Sequence, residues 1–329
     1  MSFSIRCCRY VFTRITRAKI NRRAISKIAI HCAPGSRSTV PCALGFTLYT
    51  LLGFEKKTTA EDELIETIKH CILFIQRNEF VKGEQLLHVA LRQAQQVNNQ
   101  LAITYIYDVM ANLALEREQF DKAKTLFINV TQRLMADGAK EDDLRVIHIS
   151  IKLARISHLQ KEYATAQIGY DWCLQKLNKA SNLSKNVTPL IMMTEDWYGR
   201  LFLECNQAEN GSKLMLSALE RMKTDATADK EHIIQQMSDL GAVYCEYLGK
   251  VDEGISFLKE AIETAKDVAG YNELGPVYVN LGRAYMKKRM LEEARKSCGY
   301  GWKLGYLSKN EEVQQEAQQC IKEINNLTT

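Results

Sequence analysis

The sequence predicts an all-α protein: a right-handed superhelical solenoid of about six long helix hairpins, closed by a C-terminal capping helix. Three observations predict it. A pattern of aromatic, Leu-Gly and small residues recurs along the chain at steps of 40 to 45 residues. No strand is evident anywhere. The composition, 46% hydrophobic and 25% charged with only four prolines, is that of a folded chain with few interruptions to its helices.

The elements are taken from the N-terminus. Residues 1 to 54 carry nine Lys or Arg and no Asp or Glu, so although the chain's net charge is +5, the rest of it is mildly acidic. Between Met1 and Lys27 the basic residues alternate with Phe3, Ile5, Tyr10, Val11, Phe12, Ile15 and Ile20, which on a helix sets a basic face against an apolar one. Arg-rich, Ser/Thr-bearing and acid-free, residues 1–40 read as a mitochondrial transit peptide. A basic arm for nucleic acid would not need the bulky apolar residues, so no nucleic-acid partner is expected. Residues 41–54 form a short apolar segment, PCALGFTLYTLLGF, inside a 17-residue uncharged run between Arg37 and Glu55. That is the lower limit for a spanning helix, so the segment reads as a candidate inner-membrane anchor, the alternatives being a hydrophobic tail of the targeting sequence or an apolar strap on the first repeat.

From residue 55 to 307 the repeats follow. Thr58 and Glu61 form a capping-box signature for the first helix. Cys71 and Phe74 precede Gly83, Leu87 and Ala90. Tyr107, Met110 and Ala111 precede Ala123, Phe127 and Val130. Leu153 and Ala154 precede Ala166, Tyr170 and Cys173, and Tyr198, Gly199 and Phe202 precede Gly211 and Ala218. Leu240, Gly241 and Tyr244 then precede Gly254 and Ala261, and Tyr278, Leu281, Gly282 and Tyr285 precede Ala294 and Gly301. Two antiparallel helices approach closely only where a small residue stands at the crossing, with large residues filling the space on either side. A hairpin of this kind cannot bury its own apolar face, so it needs stacked neighbours. Residues 178–189 and 223–230 are polar and read as longer connections. Ser308 and Glu311 make a second capping signature, opening a last helix over 308–329 whose glutamines suit an exposed end.

These residues resemble the tetratricopeptide repeat, whose pattern is an aromatic, Leu-Gly, Tyr and then small residues over 34 positions. The longer step implies second helices or connections extended by about two turns, as in the repeats of kinesin light chains and related adaptors.

Enzymatic chemistry is not expected. The ten cysteines show no Cys-x-x-Cys pair, and Cys71, Cys173 and Cys298 fall at repeat positions where Cys acts as a small apolar residue. His70, His88, His148, His158 and His232 lack metal-ligand spacing, and no phosphate loop or nucleophile elbow is present. No cofactor, metal or catalytic group is therefore predicted.

A partner is expected on the first helix of each pair, which in stacked repeats lines a concave groove. Counted from the anchors, Asp108, Asn112, Arg155, His158, Arg200, Glu204, Glu246, Arg283 and Lys287 stand off the packing face. Arg155, Arg200 and Arg283 share one position in three repeats, a row of guanidinium forks suited to an acidic segment or to backbone carbonyls. Chaperone-binding domains of the tetratricopeptide type hold a C-terminal carboxylate with Lys and Asn. Here Asn112 fits, but Asp108 stands where the Lys would be, which argues against such a ligand.

In organisation the whole chain resembles the tetratricopeptide repeat protein 19 family of mitochondria. That resemblance implies association with the inner membrane and protein partners among the subunits of respiratory complex III, including the Rieske protein. It also implies a role in assembling that complex and clearing Rieske fragments. The alternative is a cytosolic cargo adaptor similar to kinesin light chains, from which residues 1–54 distinguish it.

Overall fold

The computed structural model describes residues 59–180, 187–226, 228–268, 271 and 273–328. The leader and the apolar segment expected over 1–54 lie outside these residues. Among the described residues there are thirteen helices and no strand, and Cα packing divides them into units 59–149 and 150–328.

The first unit holds α1 (Ala60–Gln76), α2 (Phe80–Gln96), α3 (Gln100–Glu116), α4 (Phe120–Ala136) and the opening of α5 (Leu144–Leu159). Its helices pack as α1 on α2, α2 on α3 and α3 on α4. Leu64, Ile68 and Cys71 of α1, Leu87 and Ala90 of α2, and Ile103, Ile106 and Val109 of α3 make one core. The second unit continues from Ser150 through α6 (Tyr163–Ala180), α7 (Thr188–Glu204), α8 (Ala208–Thr224) and α9 (Lys230–Glu246). It ends with α10 (Val251–Ala265), α11 (Gly275–Lys287), α12 (Leu291–Leu307) and α13 (Glu311–Thr328). Each helix from α7 onward packs on the next. Met215, Leu219, Ile234, Leu240, Leu258 and Leu281 lie in its core.

Two patterns of burial explain the architecture. Every second helix buries one stripe at i, i+4, i+7 and i+11: Gly83, Leu87, Ala90 and Ala94 in α2, Ala123, Phe127, Val130 and Leu134 in α4, and Ala166, Tyr170, Cys173 and Leu177 in α6. α13 repeats it with Val313, Ala317, Cys320 and Ile324. Apart from α1, which buries only Leu64, Ile68, Cys71 and Ile72, the first helices are covered on most sides. In α3 eleven of seventeen residues are buried, and in α7 every residue from Leu190 to Leu201. An amphipathic helix alternates with a nearly immersed one, as expected where one layer lies between neighbouring hairpins.

The turns are short and alike. In most hairpins three residues connect the helices and the middle one is left-handed: Asn78, Glu118, Lys161, Asn206 and Arg289 all have φ near +60°. The third residue's N–H then donates to the carbonyl five positions back, as from Glu79 to Phe74 and from Gln119 to Ala114, both at 2.9 Å. This Schellman arrangement satisfies carbonyls that the helix end would leave unpaired.

Three sequence expectations need correction. The 40-residue step comes from two 17-residue helices joined by three-residue turns, so the first helix is lengthened as well as the second. Longer connections occur only at some joints, such as 137–143. The first capping box is formed by Thr59 and Asp62, each side chain meeting the other's N–H at 3.1 Å, one position beyond the expected pair; Thr58 lies outside the described residues. At the C-terminus Asn310 caps α13 by accepting from Val313 N–H at 3.2 Å, while the Ser308 hydroxyl donates back to Leu304 O at 2.9 Å. A capping side chain must precede the helix directly, and Ser308 still belongs to the end of α12.

Candidate partner-binding residues

The small residues expected at the crossings, Gly83, Ala123, Ala166, Gly211, Gly254 and Ala294, are all buried, as are Ala111, Ala154, Gly199, Gly241, Tyr244, Leu281 and Gly282; Tyr285 is half-buried. They fix where the first-helix side chains project.

In the first unit Asp108 and Asn112 lie one turn apart on α3. Asn112 is buried, and its Nδ2 donates to Asp108 O at 2.6 Å, while its Oδ1 has no hydrogen-bond partner. Asn112 is therefore turned into the packing, and the expectation that it faces a ligand is corrected. Asp108 is half-buried.

The second unit gathers most of the others into an internal network. Arg155 is 3% exposed; its Nη1 donates to His158 Nδ1 at 2.7 Å and its guanidinium lies 5.7 Å from the Trp197 ring centroid. Arg cannot accept, so Nδ1 must be the unprotonated nitrogen and the neutral imidazole carries its proton on Nε2. Nε2 lies 3.3 Å from Glu204 Oε1, and Tyr163 OH donates to Glu204 Oε2 at 3.3 Å. Burial pushes the His158 pKa down, and the Arg155 charge adds to this; Glu204 opposes it.

Arg200 is 8% exposed. Its Nε donates to both carboxylate oxygens of Asp196 at 3.1 Å, and its Nη2 donates to Asp239 Oδ2 on α9 at 2.7 Å. The guanidinium thus joins successive first helices. The expected open row of guanidinium forks is corrected accordingly: Arg155 and Arg200 are buried and bonded within the chain, and Arg283 is half-buried. The physical reason is the immersion of the first helices, which leaves little surface off the packing face. Glu246 and Lys287 are exposed, and Lys287 Nζ donates to Cys245 O at 2.9 Å.

Sequence reasoning missed Trp197, which meets Arg155 of α5, and it missed Asp196 and Asp239, which share Arg200 only when α7 and α9 are side by side. It also missed a pairing of cysteines. Cys298 on α12 is buried as expected, but it is joined to Cys320 on α13 by a disulfide, so it is more than a small apolar filler.

No family model matches the chain. Among solved structures it is similar in fold to the apo form of RapI, with a TM-score of 0.61 at 12% identity, covering 96% of this chain and 85% of that one. The kinesin-light-chain-like repeats of Podosopora anserina give a TM-score of 0.51 at 15% identity, over 62% of this chain and 95% of that one. Curated relatives are more informative. The chain is 35% identical over 273 residues to the tetratricopeptide repeat protein 19 homolog, mitochondrial, of Drosophila melanogaster, which covers 82% of this chain and 74% of the relative. It is 30% identical over 278 residues to the human tetratricopeptide repeat protein 19, mitochondrial, covering 80% and 73%. With its hairpin repeats and this extent of identity, the chain belongs to the tetratricopeptide repeat protein 19 family.

Proposed function

We propose that this protein is a non-catalytic mitochondrial adaptor. Residues 1–40 direct it to the organelle, residues 41–54 help hold it at the inner membrane, and the repeats bind protein. Its partner is respiratory complex III, ubiquinol–cytochrome c reductase, whose assembly it supports together with clearance of Rieske iron–sulfur subunit fragments. The observation that carries this reading is the 35% identity to a relative named as mitochondrial, aligned over most of both chains. The acid-free amphipathic leader and a body built of protein-binding repeats support it.

Within the second unit, Glu246, Arg283 and Lys287 are the side chains we assign to partner contact, with Glu204 at their edge. Arg155, His158 and Arg200 hold the first helices in place behind them. In the first unit Asp108 has the corresponding role, and Asn112 positions it.

Affinity capture of the full-length protein from solubilised mitochondria, followed by mass spectrometry, tests the proposal. Enrichment of complex III subunits is expected, and their absence from the captured set would sink the reading. Residues 1–54 fused to a fluorescent protein test the location separately; a diffuse cytosolic signal would favour a cargo adaptor instead.

A further inference from the structure

Helix α12 turns Ala294, Cys298, Gly301 and Gly305 inward. Its outer face is unlike that of any other second helix. Tyr300 and Leu307 border it on one side and Trp302 and Tyr306 on the other, exposed by 57%, 67%, 37% and 64%. Other second helices expose large apolar side chains only one or two at a time, such as Ile128 and Met135 of α4. Scattered exposure of that kind is ordinary, whereas a cluster within eight residues is not.

The rings are held in order. Trp302 stacks on Tyr306 with centroids 5.7 Å apart and planes 15° apart, and Tyr300 lies 5.6 Å from Tyr278. Between the rings stand Lys296 and Lys303, both exposed, with no carboxylate paired to either among the described residues. Arg295 flanks them and donates to Asn325 Oδ1 at 3.0 Å. The only acids of α12, Glu292 and Glu293, sit in its first turn.

We propose that this face is a docking surface for an anionic phospholipid membrane. Two features select that occupant. Tyr and Trp combine an apolar body with a polar tip, which places them at the boundary between headgroups and acyl chains. Lysines that no carboxylate neutralises add attraction to anionic headgroups, while their stems lie along apolar surface. The helix lies flat on such a surface, with its opposite face kept by α11 and α13. This proposal does not depend on the identity of the protein partner.

The test uses the full-length protein and vesicles whose acyl chains carry bromine, which quenches nearby tryptophan. The basic leader can recruit the chain to anionic vesicles by itself, so the readout is the position of Trp302 and not binding alone. Vesicles containing phosphatidylglycerol are expected to quench wild type, with the quenched component lost in Trp302→Phe and reduced in Lys296→Glu/Lys303→Glu. Neutral phosphatidylcholine vesicles are expected to leave Trp302 unquenched. Because these side chains are exposed, the variants should keep the wild-type helical circular dichroism. Equal quenching of wild type and Trp302→Phe, or co-sedimentation with anionic vesicles without quenching of Trp302, would overturn the proposal and leave the face to a protein partner.

Discussion

Gly199 on α7 and Gly211 on α8 meet backbone to backbone. A Cβ added to Gly199 would lie 2.8 Å from Gly211 O, and one added to Gly211 would lie 2.6 Å from Gly199 O. Gly241 and Gly254 repeat the relationship in the next hairpin, at 2.9 and 2.6 Å. In an exposed helix Gly→Ala gains about 1 kcal/mol from propensity. Here the obstruction is a carbonyl oxygen of the partner helix, which cannot swing aside as a side chain can. Gly211→Ala should therefore destabilise by about 1 to 3 kcal/mol, as overpacking does. Chemical denaturation would measure it, and an unchanged or raised midpoint would show that the helices are not in close contact there.

The left-handed turn residues give a prediction of opposite sign. Glu118 has φ 58° and Lys161 φ 64°, a conformation that costs a side-chain-bearing residue about 1 to 2 kcal/mol. Glycine removes that cost and loses part of the gain to its freer unfolded chain. Glu118→Gly should then raise stability by roughly 0.5 to 1 kcal/mol. A lower melting temperature would mean that the Glu118 side chain contributes more than its backbone costs.

His158 links stability to pH. Its folded pKa lies below the ordinary value of 6.5, chiefly because burial penalises the imidazolium. The unfolded chain therefore binds a proton that the folded one resists, so stability is lost as pH falls below about 6.5. His158→Gln should flatten this part of the profile between pH 7.5 and 5. Glu84 acts in a lower window. Its pKa is lowered by Lys122 and Arg117, and its contribution is lost only as pH falls below about 4.5. Thermal unfolding across pH for wild type and variant separates the two; an identical slope above pH 5 would exclude His158 as the source.

The hairpins were legible because both signals are local. A small residue at each crossing and a stripe at i, i+4, i+7 and i+11 are set by one helix's own period, and they survive in Gly83, Ala123 and Ala166 despite little other likeness between the repeats. The fate of the arginines was not legible. Arg155 and Arg283 occupy equivalent positions, yet one is buried and the other only half-buried, since the difference depends on Trp197 and His158 from neighbouring turns and helices. The Cys298–Cys320 bond escaped notice for the same reason. A separation of 22 residues has meaning only once the turn at Lys309 folds α13 back on α12.

This difference among the arginines decides how partner binding should be tested. Removing the Arg200 side chain leaves Asp196 and Asp239, both almost fully buried, without their shared cation. Breaking a buried pair from one side costs about 3 to 5 kcal/mol, so Arg200→Ala would weaken partner capture by loosening the repeats, whatever the residue touches. Glu246 and Lys287 are exposed, and their replacement by Ala should change stability by less than about 1 kcal/mol. The proposed contact surface therefore predicts that Glu246→Ala/Lys287→Ala lowers recovery of complex III subunits while the melting temperature stays within a few degrees of wild type. Arg200→Ala should lower both. If the double variant captured as much as wild type, the partner would have to be engaged elsewhere than along α9 and α11.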